Sequence, residues 1–205
     1  MPAKNAIVGI VIAGGRSTRF GGEKAVAPFA GSPLLLWATR RLATVCERVA
    51  VNCRAGTQTE QLAREHGLQV LHDIAGDPDG PLAGVKVGLH WARELGATQL
   101  AVSPCDAPLL PAALFDRLAE AAGEGAALAQ TEEGRQPLCA IWPVTALDAV
   151  TAALAGGQHP ATWRLLQSLG AVSVPFDVAQ DFANLNTRED LQRLEARLTS
   201  GGSPQ

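Results

Sequence analysis

The chain has 205 residues and a formal net charge of −3; 47% of its residues are hydrophobic and 18% are charged. This length is sufficient for the core of one globular domain, and a slightly acidic chain without a basic tract is not typical of a general nucleic-acid-binding protein. No apolar run approaches the roughly 18 residues of a membrane span, and residues 1–6 are too short and polar for a signal peptide, so we expect a cytoplasmic protein.

Short apolar runs alternate with longer segments of helical pattern along the chain. The pattern predicts strands at 7–13, 48–53, 69–72, 98–103, 126–131, 137–142 and 171–175. It predicts helices at 33–46, 57–66, 82–95, 111–122, 145–155, 160–169 and 187–199. This alternation indicates an α/β fold with three layers, in which a mostly parallel sheet is flanked by helices. We expect one domain over residues 1–199 and a disordered tail over residues 200–205.

The first predicted strand leads into a loop that is rich in glycine and positive charge. Residues 7–24 read IVGIVIAGGRSTRFGGEK, with glycine pairs at 14–15 and 21–22 on either side of Arg19, and with Lys24 at the end. Glycines let backbone N–H groups approach an anion, and basic side chains supply countercharge. The segment fits neither a P-loop nor a dinucleotide-binding fingerprint. A tight turn is the alternative, but the pattern favours a site for the phosphates of a nucleoside triphosphate.

A carboxylate follows the fourth predicted strand. Asp106 lies between two prolines in the sequence SPCDAP. A carboxylate with stiff flanks is a suitable oxygen ligand for Mg²⁺, which the predicted triphosphate would require. The alternative role for Asp106 is capping of the next helix. Metal binding is favoured because the glycine-rich loop independently predicts a triphosphate.

Other polar residues follow the neighbouring strands. Asn52 ends the second predicted strand, and Asp73 follows the third. Ligands of parallel α/β sheets bind beyond the carboxyl ends of the strands. We therefore expect Asn52, Asp73, Asp106 and the glycine-rich loop to lie at one edge of the sheet.

A second loop with glycines precedes the third predicted helix. Residues 73–84 read DIAGDPDGPLAG, and this loop opens onto a helix start, where backbone N–H groups lack partners within the helix. Asp77 and Asp79 are typical of solvated turn residues.

The motifs together resemble those of the molybdenum cofactor guanylyltransferases, the MobA family. This resemblance implies the nucleotide-diphospho-sugar transferase fold, which is a Rossmann-like nucleotidyltransferase fold. The glycine-rich loop is similar to the family pattern L-A-G-G-x-x-x-R-M-G-G-x-D-K, but it is one residue shorter and has Glu23 where that pattern has Asp. The segments P-C-D-x-P around Asp106 and G-P-L-A-G after Asp73 match family motifs. The segment FANLNT at 182–187 is similar to the family's F-x-N-x-N-T.

The resemblance implies a role for each matching residue. Arg19, Lys24 and Asp106 are expected to be catalytic, and Asp106 to hold Mg²⁺. Asp73 is expected to bind the guanine N1–H and exocyclic amine or the ribose hydroxyls, and Asn184 and Asn186 to lie on the acceptor side. The residues expected to bind GTP are Ile12, Ala13, Gly14, Gly15, Gly22, Lys24, Asn52, Asp73, Gly80, Pro81, Leu82 and Asp106.

The resemblance also implies the reaction. GMP would pass from GTP to the terminal phosphate of molybdopterin or Mo-molybdopterin, with release of pyrophosphate, and other cofactor-assembly proteins and acceptor molybdoenzymes would be partners. One alternative is a cytidylyltransferase acting on the same pterin; related CTP-using enzymes tend to have A-A-G where this chain has AGG at 13–15. A second alternative is a sugar-phosphate nucleotidyltransferase. A third is a nucleotide-binding protein without catalysis, against which Arg19, Lys24 and Asp106 count.

Overall fold

The structure is a computed structural model and describes residues 6–15, 20–157 and 159–200. The strands are β1 (Ile7–Ile12), β2 (Pro28–Phe29), β3 (Ser32–Pro33), β4 (Val49–Asn52), β5 (Gln69–Leu71), β6 (Gln99–Pro104), β7 (Ala127–Thr131), β8 (Gly134–Pro143) and β9 (Val172–Pro175). The helices are α1 (Leu34–Leu42), α2 (Gln58–Glu65), α3 (Pro81–Glu94), α4 (Leu114–Ala122), α5 (Leu147–Leu154), α6 (Thr162–Ser168) and α7 (Arg188–Ser200). Short 3₁₀ turns are found at Lys24–Val26, Val144–Ala146 and Ala179–Phe182.

The large sheet confirms the predicted α/β class. Its strands follow the order β5-β4-β1-β6-β8-β7-β9. Neighbouring strands pair in parallel, except that β8 is antiparallel to both β6 and β7. Each predicted strand and helix is present, with ends that differ from the prediction by at most four residues.

Two features of the strands differ from the prediction. The small hairpin of β2 and β3 has no predicted counterpart, and its turn places Ala30 and Gly31 at φ angles of 45° and 79°. The strand predicted at 137–142 begins earlier, at Gly134, because only Glu132 and Glu133 separate it from β7. A two-residue connection requires an antiparallel hairpin, which reverses β8 relative to the rest of the sheet.

A hydrophobic core lies on each face of the large sheet. Val11 of β1 packs in the core under α1, α2 and α4, which also contains Phe115. Ile10 packs in the opposite core under α3, α5 and α6, together with Trp142. Because β1 is covered on both faces, it is a continuous apolar run and not an alternating one. The two cores produce the three predicted layers.

Helix α3 lies very close to the sheet where it carries glycine. A Cβ atom on Gly88 would lie 2.9 Å from both Ile10 Cδ1 and Leu100 Cδ2. A Cβ atom on Gly84 would overlap Asn52 Oδ1. Glycine therefore lets the first turns of α3 approach the ends of β1 and β4, and this approach forms one wall of the site described below.

Two further expectations concern the C-terminal tail and membrane-spanning segments. Residues 201–205 of the predicted tail lie outside the described residues, and Ser200 is the last residue of α7. Among the helices of the described ranges, none has the length and apolarity to cross a membrane.

Candidate active site

A cavity of about 600 Å³ opens at the carboxyl ends of β1, β4, β5 and β6. This is the edge at which the sequence predicted the polar residues to meet. The predicted residues that line it are Ile12, Ala13, Gly14, Gly15, Lys24, Asn52, Asp73, Gly80, Pro81, Asp106 and Asn186. Residues separated by up to 174 positions in the chain are thus brought to one cavity.

Three other predicted site residues do not line the cavity, and a fourth is not described by the structure. Gly22 and Asn184 are exposed but do not line the cavity, and Leu82 is fully buried beneath it. Arg19 lies outside the described residues.

One end of the cavity contains a lysine held between two oxygen atoms. Lys24 Nζ donates hydrogen bonds to Asp106 Oδ2 at 2.8 Å and to Asn186 Oδ1 at 3.2 Å. The Lys24 side chain is 11% exposed and that of Asp106 is 23% exposed. We call these three residues the Lys24 end of the cavity. The shortened glycine-rich segment therefore still brings Lys24 to the candidate metal ligand.

Glu23 explains how Lys24 is oriented. Its carboxylate accepts hydrogen bonds from Gln58 N at 2.9 Å, from Thr59 N at 2.7 Å and from Thr59 Oγ1 at 2.6 Å. Partial burial alone would raise the pKa of Glu23, but these hydrogen bonds together lower it below its usual value. The charged side chain thereby fixes the residue before Lys24 to the start of α2.

The other end of the cavity is organised around Asn52. This side chain is 2% exposed, and its Nδ2 donates a hydrogen bond to Asp73 Oδ1 at 2.8 Å. The bond orients the Asp73 carboxylate, while the Asp73 residue itself is exposed at the cavity wall. We call Asn52, Asp73 and the loop over 73–80 the Asn52 end of the cavity.

The loop of the Asn52 end is attached to α3 by a buried ion pair. Lys86 Nζ donates to both carboxylate oxygens of Asp77, at 2.8 and 2.9 Å. The two side chains are only 10% and 12% exposed. The prediction that Asp77 is a solvated turn residue is therefore wrong, because Lys86 reaches back from α3 and covers it.

A histidine closes the start of α3. Leu82 N donates a hydrogen bond to His159 Nε2 at 2.9 Å, so this nitrogen is the unprotonated one. The His159 ring occupies the space that a Cβ atom on Gly80 would need, and Gly80 has a φ of 152°. Glycine at 80 therefore allows the loop between α5 and α6 to pack against the Asn52 end.

Sequence reasoning missed several residues that line the cavity. Arg54 follows β4 at the same sheet edge, which was a usable signal, whereas Thr57 carried none. The lining residues without a predicted role are Glu23, Ala25, Arg54, Thr57, Thr59, Asp79, Pro104, Cys105 and Leu138. Leu138 is present because β8 continues past its last pairing with β6, Val102 with Ala140.

The thiol next to Asp106 is unsuited to nucleophilic chemistry. Burial raises the pKa of Cys105 to about 12, and the neighbouring Asp106 carboxylate contributes to the shift. A thiol with such a pKa stays protonated near neutral pH. The polar side chains available to a ligand at this end of the cavity are therefore those of Lys24, Asp106 and Asn186.

The Lys24 end has a donor set that fits a hard divalent cation. The oxygens of Asp106 and Asn186 converge on one position, that of Lys24 Nζ. No group of three or more His, Cys, Asp or Glu residues with metal-binding geometry occurs among the described residues. One carboxylate and one amide oxygen suit a cation that completes its coordination with water and phosphate oxygens.

Known proteins are similar to this chain in both sequence and fold. Residues 9–172 match the family model of the MobA-like NTP transferase domain. A protein of Rhodobacter capsulatus named molybdenum cofactor guanylyltransferase is 41% identical over 194 residues, which cover 94% of this chain and 96% of that protein. A protein of the same name from Cupriavidus necator is 36% identical over 207 residues, which cover 96% of this chain and 100% of its own length.

The fold of this chain is also similar to that of a solved structure. Molybdopterin-guanine dinucleotide biosynthesis protein A from Archaeoglobus fulgidus aligns with a TM-score of 0.72 at 23% identity, covering 94% of this chain and 98% of that protein. The predicted nucleotidyltransferase fold is thus confirmed, and so is the resemblance derived from the motifs. The chain belongs to the MobA-like NTP transferases, a family of nucleotidyltransferases.

Proposed function

We propose that this protein transfers GMP from GTP to the terminal phosphate of molybdopterin or Mo-molybdopterin, giving the guanine dinucleotide cofactor and pyrophosphate. The relatives that support this function carry the name molybdenum cofactor guanylyltransferase and match over nearly the whole chain. The structural observation that carries it is the two-ended cavity. The glycine-rich loop, Lys24 and Asp106 suit a triphosphate, and Asn52 with Asp73 suits a guanosine.

At the Lys24 end the residues bind and neutralise phosphate groups. Gly14 and Gly15 line the cavity, and a Cβ atom on Gly15 would meet nothing within 4 Å, so the backbone there is open to a ligand. The backbone N–H groups and the Lys24 ammonium stabilise the phosphate charge. Arg19, which lies between the two glycine pairs in the sequence, is proposed to contribute a further positive charge.

The chemical step needs positioning more than proton transfer. An oxygen of the acceptor phosphate, an anion near neutral pH, attacks the α-phosphorus of GTP. A new P–O bond forms while the bond to the β-phosphate oxygen breaks, and pyrophosphate leaves with that electron pair. Holding the two anions in line, with countercharge beside them, supplies most of the catalysis.

We propose Mg²⁺ as the divalent ion of this reaction, held by Asp106 with Asn186. When bound, Mg²⁺ supplies positive charge to the phosphate oxygens. Both side chains provide the hard oxygen atoms that this ion prefers. Asp106 has no competing role as a helix cap in the structure, since Ala113 precedes α4.

At the Asn52 end we propose that Asp73 binds the guanosine. The hydrogen bond from Asn52 holds Asp73 Oδ1 and so orients the carboxylate for a further donor from the ligand. Gly80 and Pro81 form the neighbouring wall. We place the pterin beyond the Lys24 end, toward Asn184 and Asn186. The remaining parts of the proposal are a cytoplasmic reaction and transfer of the product to molybdoenzymes, with other cofactor-assembly proteins as partners.

The first test is pyrophosphate release with Mg²⁺ and molybdopterin, comparing GTP, CTP, ATP and UTP. Release with GTP alone is the expected result. Release with CTP instead would identify a cytidylyltransferase, and release only with a sugar phosphate as acceptor would identify that class of enzyme. Measurable GTP binding without release with any acceptor would identify a non-catalytic nucleotide-binding protein.

The role of Asp73 can be tested with modified nucleotides. Asp73→Asn removes one charged hydrogen-bond acceptor, and loss of a hydrogen bond to a charged group weakens binding by about 10- to 100-fold. We expect this rise in KM for GTP with little change in kcat. The wild type should prefer GTP over ITP, which lacks the exocyclic amine, and the variant should lose that preference. If the variant instead loses only its preference for GTP over 2′-deoxy-GTP, Asp73 binds the ribose.

A further inference from the structure

The Lys24 ammonium lies where the proposed divalent ion would be held. Its Nζ is 2.8 Å from Asp106 Oδ2 and 3.2 Å from Asn186 Oδ1, which are the two oxygen atoms assigned to the metal. An ammonium and a divalent cation within a few ångströms of each other repel strongly, especially in a partly dehydrated cavity. The two cations therefore compete for one position.

On the basis of the proposed function, we infer that Lys24 is an internal cation that fills the divalent-metal position of the nucleotide-free protein. Lys24 leaves this position for the triphosphate when nucleotide enters together with the metal. Lys24 thus controls access to the metal position and also binds phosphate. The metal and the nucleotide then bind cooperatively, because the triphosphate supplies the new partner that Lys24 needs.

Burial explains why the exchange requires a triphosphate. The Lys24 side chain is 11% exposed, so removing it from Asp106 without a replacement anion would leave a poorly hydrated positive charge. The metal, for its part, would gain only one carboxylate and one amide oxygen, since the described residues offer no larger cluster of acidic, His or Cys ligands. Both facts disfavour metal binding in the absence of nucleotide.

A second lysine shows what distinguishes an exchangeable pair from a permanent one. Lys86 also pairs with an aspartate, Asp77, at 2.8 Å and with similar exposure. It binds both oxygens of its partner, however, and neither residue lines the cavity. Lys24 binds a single oxygen of Asp106 and faces the cavity. A metal ion that enters the cavity can therefore replace Lys24 as the partner of Asp106 and Asn186.

The test measures Mn²⁺ binding to the nucleotide-free full-length protein, by loss of the electron paramagnetic resonance signal of free Mn²⁺. We expect Lys24→Met to bind Mn²⁺ at least about tenfold more tightly than the wild type, because the competing charge is gone. Lys24→Gln should behave in the same way if the Met variant does not fold. Arg54→Met removes another positive charge that lines the cavity, and it should change Mn²⁺ affinity much less. Lys24→Met/Asp106→Asn should lose the tight site.

The reciprocal arm measures GTP binding by calorimetry in the presence of a chelator. Asp106→Asn frees Lys24, so this variant should bind metal-free GTP more tightly than the wild type. If Lys24 mediates the gain, Asp106→Asn should give no gain in a Lys24→Met background; a gain from the lost carboxylate charge alone would persist there and would count against the exchange.

The inference is overturned if nucleotide-free wild type binds Mn²⁺ as tightly as both Lys24 variants. It is also overturned if Arg54→Met raises the affinity as much as Lys24→Met does. Failure of the proposed function has a different signature, which is the absence of GTP-dependent pyrophosphate release from wild-type protein. The Mn²⁺ measurement uses no nucleotide, so it decides the inference in either case.

Discussion

The two ends of the cavity are built differently although they lie on the same sheet edge. At the Lys24 end, a lysine is held by one oxygen of Asp106 and one of Asn186, and all three side chains face the cavity. At the Asn52 end, a buried amide orients Asp73, and the loop behind it is attached by the Asp77–Lys86 pair.

The difference concerns which contacts a ligand can replace. Contacts at the Lys24 end are made by the groups that we propose bind the triphosphate and its metal, so we expect ligand entry to rearrange them. At the Asn52 end the Asp77–Lys86 pair is made by residues that do not line the cavity, so we expect it to remain in place when a ligand binds. A preformed wall reduces the conformational entropy lost on binding, which suits recognition of one base. The rearranging end suits the reaction itself.

The largest expected effect is on the Lys24 end. Asp106→Asn should lower turnover about 100- to 1,000-fold, because the proposed Mg²⁺ loses its charged ligand and the reacting phosphates lose the countercharge of that ion. The free energy of unfolding should fall by less than the roughly 3 kcal/mol of a broken buried pair, because the Asp106 side chain is 23% exposed and Asn186 still accepts a hydrogen bond from Lys24. Pyrophosphate release and urea unfolding of the same preparation test both statements. Wild-type turnover in this variant would show that Asp106 does not act on the reaction.

The second-largest expected effect is a loss of folding stability, and it concerns the Asn52 end alone. Lys86→Met leaves the Asp77 carboxylate buried without its partner, and breaking such a pair destabilises a protein by about 3 kcal/mol. Urea unfolding should show this loss. Lys86→Met/Asp77→Asn, the matched control, should recover much of it because no unpaired charge remains. If Lys86→Met is as stable as the wild type, the loop of the Asn52 end is not held by this pair.

The smallest effect concerns Glu23, whose pKa is lowered by hydrogen bonds from Thr59 and Gln58 despite partial burial. Because the folded-state pKa is lower than the unfolded one, its stabilisation is complete above the ordinary value of 4.5. It is lost as the pH falls below that value and through the folded pKa. Glu23→Gln should reduce stability by about 1 kcal/mol at neutral pH, and the difference from wild type should shrink toward pH 3. A difference that does not vary with pH would contradict the role of the charged form.

The sequence predicted the elements and the ligand-facing residues more completely than their supports. Strand β1 and the glycine-rich loop could be predicted because buried strands and phosphate-binding loops each have a characteristic pattern of neighbouring residues. Asn52 and Asp106 could be placed at one edge because both follow parallel strands. The supports depend on contacts between distant segments, such as that of His159 with Leu82, 77 residues apart. Local patterns contain no information on such pairs. The wrong prediction for Asp77 has a different cause: Lys86 is nine residues away, but the sequence does not show that the loop folds back so that Lys86 covers Asp77.

The starts of α2 and α3 are occupied by the protein's own side chains, and we expect this to affect the direction in which a nucleotide binds. Both helices begin at the cavity, where free N–H groups would attract any anion. Glu23 already occupies the first of these positions and His159 the second. Phosphate groups that entered at the Asn52 end would therefore meet a Leu82 N–H already bonded to His159 and would lie near the Asp73 carboxylate. We therefore expect these side chains to disfavour the reversed binding mode, so that the α-phosphorus would be presented to the acceptor from one direction.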